Sequence, residues 1–285
     1  MHMMEIKLEN LPDALYIELP QKHHNRIWNR LLRKNTIIQI AKTQQIPIRN
    51  LYKWKEGNSG YPLSEVKKLL KLAKIKIDVI SIKTQRDSKS IRNLKLPIKI
   101  NERFASLLGH LFGDGGIDKQ FQLHYTTNDI NNVGEVKNLV KTIFGDVEFN
   151  EINYGNRVTL VYPKTLGIIV SHITEMSVGS KVDSDNRLSK NILDKMNYKM
   201  KIAFIKTFYE CDGETNNIAI VQGCKYLDKP PTILLQIKNL LEDLNFKSVI
   251  IKPSSIYKIT NKTRRRWVLR IADKQEKNKF RRLFF

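Results

Sequence analysis

The spacing of hydrophobic positions divides the chain into a helical first stretch, a short alternating stretch and a long remainder of mixed elements. In residues 24–75, apolar side chains recur three or four positions apart, which predicts amphipathic helices. These helices are expected at residues 25–33, 36–43, 47–56 and 64–73. Residues 76–101 alternate apolar and polar positions and then become basic, so they predict one or two strands and a linker.

From residue 102 onward, the predicted elements occur twice in the same order. The first unit has expected helices at 102–113, 133–144 and 164–173, and expected strands at 121–127, 147–153 and 157–162. The second has expected helices at 201–212, 232–244 and 275–284, and expected strands at 218–222, 248–259 and 266–271. In the last strand Trp267, Leu269 and Ile271 share one face, so Arg266 and Arg270 are expected on the other.

Two segments of these units are versions of each other. Residues 105–115 (ASLLGHLFGDG) and 203–213 (AFIKTFYECDG) both end in Asp-Gly. Both also place small residues four positions apart, on one stripe of a helix, where such residues allow close helix packing. The small residues are Ala105, Gly109 and Gly113, and Ala203, Thr207 and Cys211. We therefore expect Asp114 and Asp212 side by side at the ends of two packed helices.

Such an arrangement concentrates negative charge at one point. The C-terminal end of a helix is itself negative, and two carboxylates add to it. A hard divalent cation with oxygen ligands is the natural counterion. A single Asp-Gly pair usually marks only a turn, but the matched repeat favours a duplicated fold with a shared metal site.

Residues 107–115 (LLGHLFGDG) and 205–213 (IKTFYECDG) resemble the paired signature helices of LAGLIDADG homing endonucleases. The similarity extends over residues 102–285, because residues 179–213 resemble the approach to the second motif and residues 267–285 the closing strand and helix. The chain departs from the family pattern at Phe112, where the family often has an acid, and at Thr207, where it has glycine. Both aspartates are retained.

The resemblance, together with the pattern, implies an α+β fold. It consists of duplicated αββαββα LAGLIDADG-type halves that form a curved-sheet saddle, plus a small all-α N-terminal domain. The expected domains are residues 1–80, a linker at 81–101, a first half at 102–200 and a second half at 201–285. The implied activity is site-specific cleavage of double-stranded DNA by a monomer.

The resemblance also implies roles for individual residues. Asp114 and Asp212 would hold Mg²⁺ (or Mn²⁺), helped by the backbone carbonyls of Gly113 and Cys211. Lys181, in Gly-Ser-Lys ahead of the second motif, matches a position where many relatives carry lysine, and it would stabilise charge on the phosphate. Further candidates are Lys258, Lys262 or Arg264 as a second such cation, and Gln222 to orient a water.

Residues 37–56 resemble a helix-turn-helix. Ala41 lies where the two helices would cross, and Leu51 and Trp54 where the second helix packs inward, although Gln45 stands where the turn usually carries glycine. The face that could enter a major groove would present Arg49, Asn50 and Lys53. A plain helical bundle with a solvated basic face is the alternative.

The net charge and its distribution along the chain indicate the kind of partner that the protein binds. A net charge of +22 indicates a polyanionic partner. Residues 1–100 carry +13 and residues 247–285 carry +11, whereas residues 101–246 carry −2. A cationic surface around an acidic centre suits phosphodiester chemistry on nucleic acid. The basic residues expected to contact DNA in the second half are Arg264, Arg265, Arg266 and Arg270.

The cysteine content and the hydrophobic segments limit the kinds of site and the cellular locations that we expect. Two cysteines form neither a disulfide framework nor a zinc site. No segment has the pattern of a membrane span or a secretory signal, so we expect a cytoplasmic protein. Two alternatives stay open: a transcription regulator that binds DNA without cutting it, favoured by the helix-turn-helix pattern, and a maturase that binds structured intron RNA on the same saddle.

Overall fold

A computed structural model describes residues 4–57, 59–85, 90–214, 217–259 and 261–285. These residues form an α+β fold with eleven α-helices and four sheets of antiparallel strands. In chain order the helices are α1 (Gln21–Leu32), α2 (Ile37–Gln44), α3 (Ile48–Lys55), α4 (Leu63–Ala73), α5 (Glu102–Gly113), α6 (Ile130–Phe144), α7 (Lys164–Thr174), α8 (Lys190–Leu193), α9 (Tyr198–Asp212), α10 (Thr232–Asp243) and α11 (Lys274–Phe284).

The strands are short near the amino terminus and long near the carboxyl terminus. In chain order they are β1 (Met4–Ile6), β2 (Tyr16–Glu18), β3 (Tyr61–Pro62), β4 (Val79–Lys83), β5 (Ile91–Lys95), β6 (Ile98–Ile100), β7 (Gly115–Ile117), β8 (Leu123–Thr127), β9 (Asp146–Val147), β10 (Asn150–Tyr154), β11 (Arg157–Tyr162), β12 (Gly213–Glu214), β13 (Ala219–Cys224), β14 (Val249–Ile259) and β15 (Lys262–Ile271).

The two four-stranded sheets share one strand order. One runs β10-β11-β8-β7 and the other β14-β15-β13-β12. In the first sheet, β7 follows Asp114 and pairs with β8, and β8 pairs with β11, the second strand of the hairpin β10–β11. In the second sheet, β12 follows Asp212 and pairs with β13, and β13 pairs with β15, the second strand of the hairpin β14–β15. Helices α5 and α9, which lead into these sheets, pack against each other.

The amino-terminal region differs from the sequence prediction. The expectation of an all-α unit at residues 1–80 is wrong, because β2 pairs with β3 and with β4. Strands of two or three residues are too short to display the alternation on which strand prediction relies. The strands expected within residues 76–101 are present, but the linker expected at 81–101 also consists partly of paired strands: β5 pairs with β4 on one side and with β9 on the other, and β6 pairs with β1. The domain boundaries at residues 80, 101 and 200 stay predictions.

Helices α2 and α3 lie where the sequence pattern predicts them. Thr36 caps α2 through a hydrogen bond from the Gln39 amide. Gln45 follows α2 in the left-handed conformation, with φ of 54°, so this glutamine adopts the backbone geometry for which glycine is favoured. Leu51 and Trp54 are buried. The two helices therefore have the packed face that the pattern requires.

Candidate active site at the paired helix ends

Helices α5 and α9 touch through their small residues. A Cβ atom added to Gly109 would lie 1.8 Å from Oγ1 of Thr207 and 2.6 Å from the carbonyl oxygen of Phe204. One turn later, a Cβ atom on Gly113 would lie 2.4 Å from Cβ of Cys211. The Thr207 hydroxyl also donates a hydrogen bond of 2.9 Å to the Ser106 carbonyl across the contact. Glycine at positions 109 and 113 is thus what allows the two backbones to meet.

The close packing brings the two helix ends together. Asp114 is the C-cap of α5, and Asp212 is the last residue of α9. A Cβ atom on Gly113, the residue before Asp114, would lie 3.5 Å from Oδ2 of Asp212. The Asp212 carboxylate therefore lies against the end of α5, beside Asp114.

Lys181 reaches the same point from the segment between the two units. Its Nζ donates hydrogen bonds to the carbonyl oxygens of Phe112, at 2.9 Å, and Gly113. These carbonyls belong to the last turn of α5, where the helix dipole favours a cation. An ammonium group therefore shares the helix end with two carboxylates.

The protonation equilibria of the three groups are coupled. Burial raises the pKa of Asp212 to about 6, and the charge of Asp114 acts in the same direction. Burial also raises the pKa of Asp114, although Lys181 opposes it. Burial lowers the pKa of Lys181 to about 8, while both carboxylates act to raise it. Perturbed pKa values in a charged cluster are typical of functional sites.

Each aspartate has a polar neighbour on the strand that crosses its helix end. Gln222, on β13, donates a hydrogen bond of 2.7 Å to Oδ2 of Asp212. In the other unit, burial raises the pKa of Asp114 and Thr127 of β8 acts to lower it. The registers Gly213↔Ile220 and Gly115↔Tyr125 place Gln222 and Thr127 at equivalent positions. Aligning the two units strand by strand would have identified Thr127, which the sequence analysis missed.

The expected metal ligands fit a divalent cation only in part. Asp114 and Asp212 supply hard carboxylate oxygens of the kind that Mg²⁺ prefers. The Gly113 carbonyl accepts a hydrogen bond from Lys181, so it already has a cationic partner. Burial, followed by the charge of Asp114, raises the pKa of the Cys211 thiol to about 12, which leaves only its carbonyl as a hard donor. No cluster of three or more His, Cys, Asp or Glu residues suited to a metal occurs in the described ranges.

The arginines of β15 divide into two groups. Arg266 and Arg270 are exposed, and Arg266 lies over the ring of Tyr257, 5.1 Å from its centroid. Arg264 is buried and donates to both carboxylate oxygens of Asp183. Arg265 donates to the Leu227 carbonyl. The expectation that Arg264 contacts phosphate is therefore wrong for this conformation, because its guanidinium is already paired inside the protein.

The other candidate basic residues lie on the surface. Arg49 and Lys53 are exposed on α3, and Asn50 beside them is half-buried. Lys258 is exposed on β14, whereas Lys262 forms an ion pair of 3.3 Å with Asp183.

None of the helices in the described ranges combines the length and apolarity that a membrane span requires.

Comparison with known proteins adds structural neighbours. No protein-family model matches the chain, and no curated protein sequence does. Among solved structures, the homing endonuclease I-DmoI in complex with DNA and Mn matches 64% of this chain and 96% of its own, with 18% identity and a TM-score of 0.44. Full-length DUF199/WhiA from Thermatoga maritima matches 64% of this chain and 59% of its own, with 13% identity and a TM-score of 0.34. At TM-scores below 0.5, neither likeness establishes a shared activity.

Proposed function

We propose that this protein is a site-specific, metal-dependent endonuclease of double-stranded DNA, built as two LAGLIDADG-type units in one chain. The observation that carries the proposal is the meeting of Asp114, Asp212 and Lys181 at the ends of two helices in glycine contact. Burying two like charges together costs stability, so a site of this kind has a functional rather than a structural explanation.

The roles follow from the chemistry of each side chain. Asp114 and Asp212 would hold Mg²⁺ or Mn²⁺, with phosphate oxygens and water as its other ligands. A divalent cation supplies an ionised water and stabilisation of the leaving oxygen. Lys181 would place positive charge beside the scissile phosphate. Gln222 orients the Asp212 carboxylate through its hydrogen bond, and Thr127 stands at the equivalent position beside Asp114.

The two antiparallel sheets provide the surface for the duplex. A β-ribbon fits the major groove, and the exposed face of β15 offers Arg266 and Arg270 to it. Phosphate contacts of this kind supply affinity rather than sequence information. Because both units lie in one chain, a monomer can present both sheets to one site.

The helix pair α2 and α3 would add a second DNA contact. Its exposed face carries Arg49 and Lys53, and residues 1–100 carry a net charge of +13. A helix-turn-helix inserts its second helix into the major groove. This surface also favours the second candidate function, a regulator that binds DNA without cutting it.

Cleavage separates these functions. The substrate is a plasmid that carries the chromosomal sequence flanking the gene, joined as it would be without the gene. We expect the parent protein to linearise it in Mg²⁺ or Mn²⁺ and not in EDTA. Asp114→Asn and Asp212→Asn should bind without cutting, because each removes one carboxylate from the shared site.

The matched control is Asp194→Asn, which removes an exposed aspartate whose partner is Lys190 on α8. It should cleave as the parent does. Tight duplex binding with no cleavage in either metal would support the regulator instead. Binding to the structured intron RNA with no binding to the duplex would support the maturase.

A further inference from the structure

Arg264 lies on β15, a strand that pairs with β13 on one side and β14 on the other, and its environment differs from that of the other arginines of this strand. Only 8% of it is exposed, although Arg266 and Arg270 on the same strand are exposed. Its Nη2 contacts the Asp183 carboxylate at 2.9 and 3.1 Å. Lys262 adds a second cation to the same carboxylate at 3.3 Å. The guanidinium therefore points into the protein and holds one specific aspartate.

Asp183 belongs to residues 177–189, which join the two units and which we call the interunit strap. The strap is bound to the first unit by the Gly179 amide, which donates to the Ile117 carbonyl at 2.6 Å, and by Lys181. It is bound to the second unit by the Lys225 amide, which donates to the Val182 carbonyl at 2.9 Å, and by Asp183. Lys181 lies between these two sets of contacts.

The position of Lys181 needs such support. A lysine side chain is long and flexible, and burying its ammonium is unfavourable. Nη2 of the buried Arg264 guanidinium lies within hydrogen-bonding distance of both Asp183 oxygens, and a charge-assisted contact from a buried group restricts where the carboxylate can lie. Asp183 is two residues from Lys181, so fixing Asp183 fixes the backbone from which Lys181 extends.

We propose that Arg264 is a positioning residue, which acts through Asp183 to hold Lys181 at the paired aspartates, and that it makes no phosphate contact. This inference rests on the proposed nuclease function, and it gives a basic residue of the sheet a role in catalysis rather than in affinity. The strap is then the element through which the second unit sets the geometry at the end of α5.

The kinetic test compares Arg264→Gln with Arg266→Gln on the same strand. We expect Arg264→Gln to lower the single-turnover cleavage rate at saturating DNA by about 10- to 100-fold, as small displacements of a catalytic group do. Its Kd and the salt dependence of its Kd should stay at the parent values. Arg266→Gln should instead weaken binding and reduce the slope of log K against log salt by about 0.9, the value of one phosphate contact.

A rescue and a coupling experiment exclude a general loss of packing. Asp183→Asn should reproduce the Arg264→Gln defect, and the double variant should be no slower than either single one, because the two residues act as a pair. Arg264→Lys keeps the charge but not the planar guanidinium, so it should recover only part of the rate.

Hydrogen exchange in the full chain without DNA tests positioning independently of cleavage. The amides of Asp183 and Ser184 donate to the Ser180 carbonyl at 3.1 and 3.0 Å. Their exchange should accelerate in Arg264→Gln and Asp183→Asn and not in Arg266→Gln. If this pattern holds but the parent cuts no DNA, the nuclease function fails while the anchoring of the strap stands. Unchanged exchange, or an Arg264→Gln variant that loses affinity and salt dependence at the parent cleavage rate, would overturn the inference.

Discussion

Gln222 donates a hydrogen bond to Asp212 across 2.7 Å, and Thr127, at the equivalent strand position of the other unit, acts to lower the pKa of Asp114. The two side chains come from corresponding strands, yet one is an amide and the other a hydroxyl. The two units therefore place a polar side chain at the same position beside the aspartate, but the chemical type of that side chain differs. This difference allows the two carboxylates to be perturbed one at a time.

Replacing Gln222 by Leu should shift the acidic limb of the pH–rate profile to higher pH. The Gln222 hydrogen bond acts to lower the pKa of Asp212, so its loss leaves less ionised carboxylate at a given pH. A hydrogen bond of about 1 kcal/mol corresponds to a shift of somewhat less than one pH unit. Single-turnover cleavage in Mg²⁺ from pH 5 to 9 measures it.

The control for this prediction is Gln275→Leu, which changes an exposed glutamine on α11. It should leave the profile in place. A Gln222→Leu variant that is slower by the same factor at every pH would contradict the assignment, because the hydrogen bond would then act on geometry alone.

Replacing Asp212 by Asn should stabilise the protein while abolishing cleavage. The pKa of Asp212 rises from 3.8 in the unfolded chain to about 6 in the folded one. Between pH 3.8 and pH 6 the folded state binds more protons than the unfolded state. The contribution of the Asp212 carboxyl to stability is therefore fully present below pH 4 and is lost as the pH rises through 6. One pKa unit corresponds to about 1.4 kcal/mol, so with the pKa raised from 3.8 to about 6 the variant should gain on the order of 3 kcal/mol at pH 7.

Thermal unfolding in EDTA from pH 3.5 to 8 measures this effect. Asp118→Asn is the control of opposite sign. Burial acts to raise the pKa of Asp118, but hydrogen bonds from His124 and two backbone amides lower it on balance, so this variant should lose stability above pH 4. Added Mg²⁺ should raise the Tm of the parent more than that of Asp212→Asn. Equal pH dependence in the parent and Asp212→Asn would refute the charge coupling at the helix ends.

The helices and the paired aspartates could be predicted because both depend on short-range spacing. The stripe of Ala105, Gly109 and Gly113 needs only the geometry of one helix, and so does the face of Leu51 and Trp54. The partner of Arg264 could not be predicted, because it lies on a connecting segment 81 positions away. Side-chain alternation assigns a residue to a face of a strand but does not identify what covers that face.

Replacing Gly109 by Ala should destabilise the fold strongly. The new methyl group would meet the Thr207 hydroxyl at 1.8 Å and the Phe208 amide nitrogen at 2.8 Å. Overpacking of this kind costs about 1–3 kcal/mol or more. The control is Gly134→Ala on α6, where the added Cβ has no neighbour within 4 Å. There, better helix propensity should raise stability by about 0.5–1 kcal/mol.

Chemical denaturation of both glycine variants measures the difference. Changing Thr207 to Gly in the Gly109→Ala background should restore only part of the stability, since the backbone atoms of α9 also stand in the way. If Gly109→Ala and Gly134→Ala are equally stable, α5 and α9 do not pack as closely in solution as this geometry requires.

Replacing Arg49 and Lys53 by Gln should weaken DNA binding and lower its salt dependence. Both side chains are exposed on α3, the second helix of the proposed helix-turn-helix. Each phosphate contact that is lost reduces the slope of log K against log salt by about 0.9. The slope of the double variant should therefore fall by up to about 1.8 if both side chains reach the DNA backbone.

The control is Lys71→Gln, which changes an exposed lysine on α4 and should leave the slope unchanged. The cleavage rate at saturating DNA should also stay constant, because α3 lies outside the paired helix ends. An unchanged slope in the Arg49 and Lys53 variant would instead favour the plain helical bundle, and would assign the affinity for DNA to the two sheets alone.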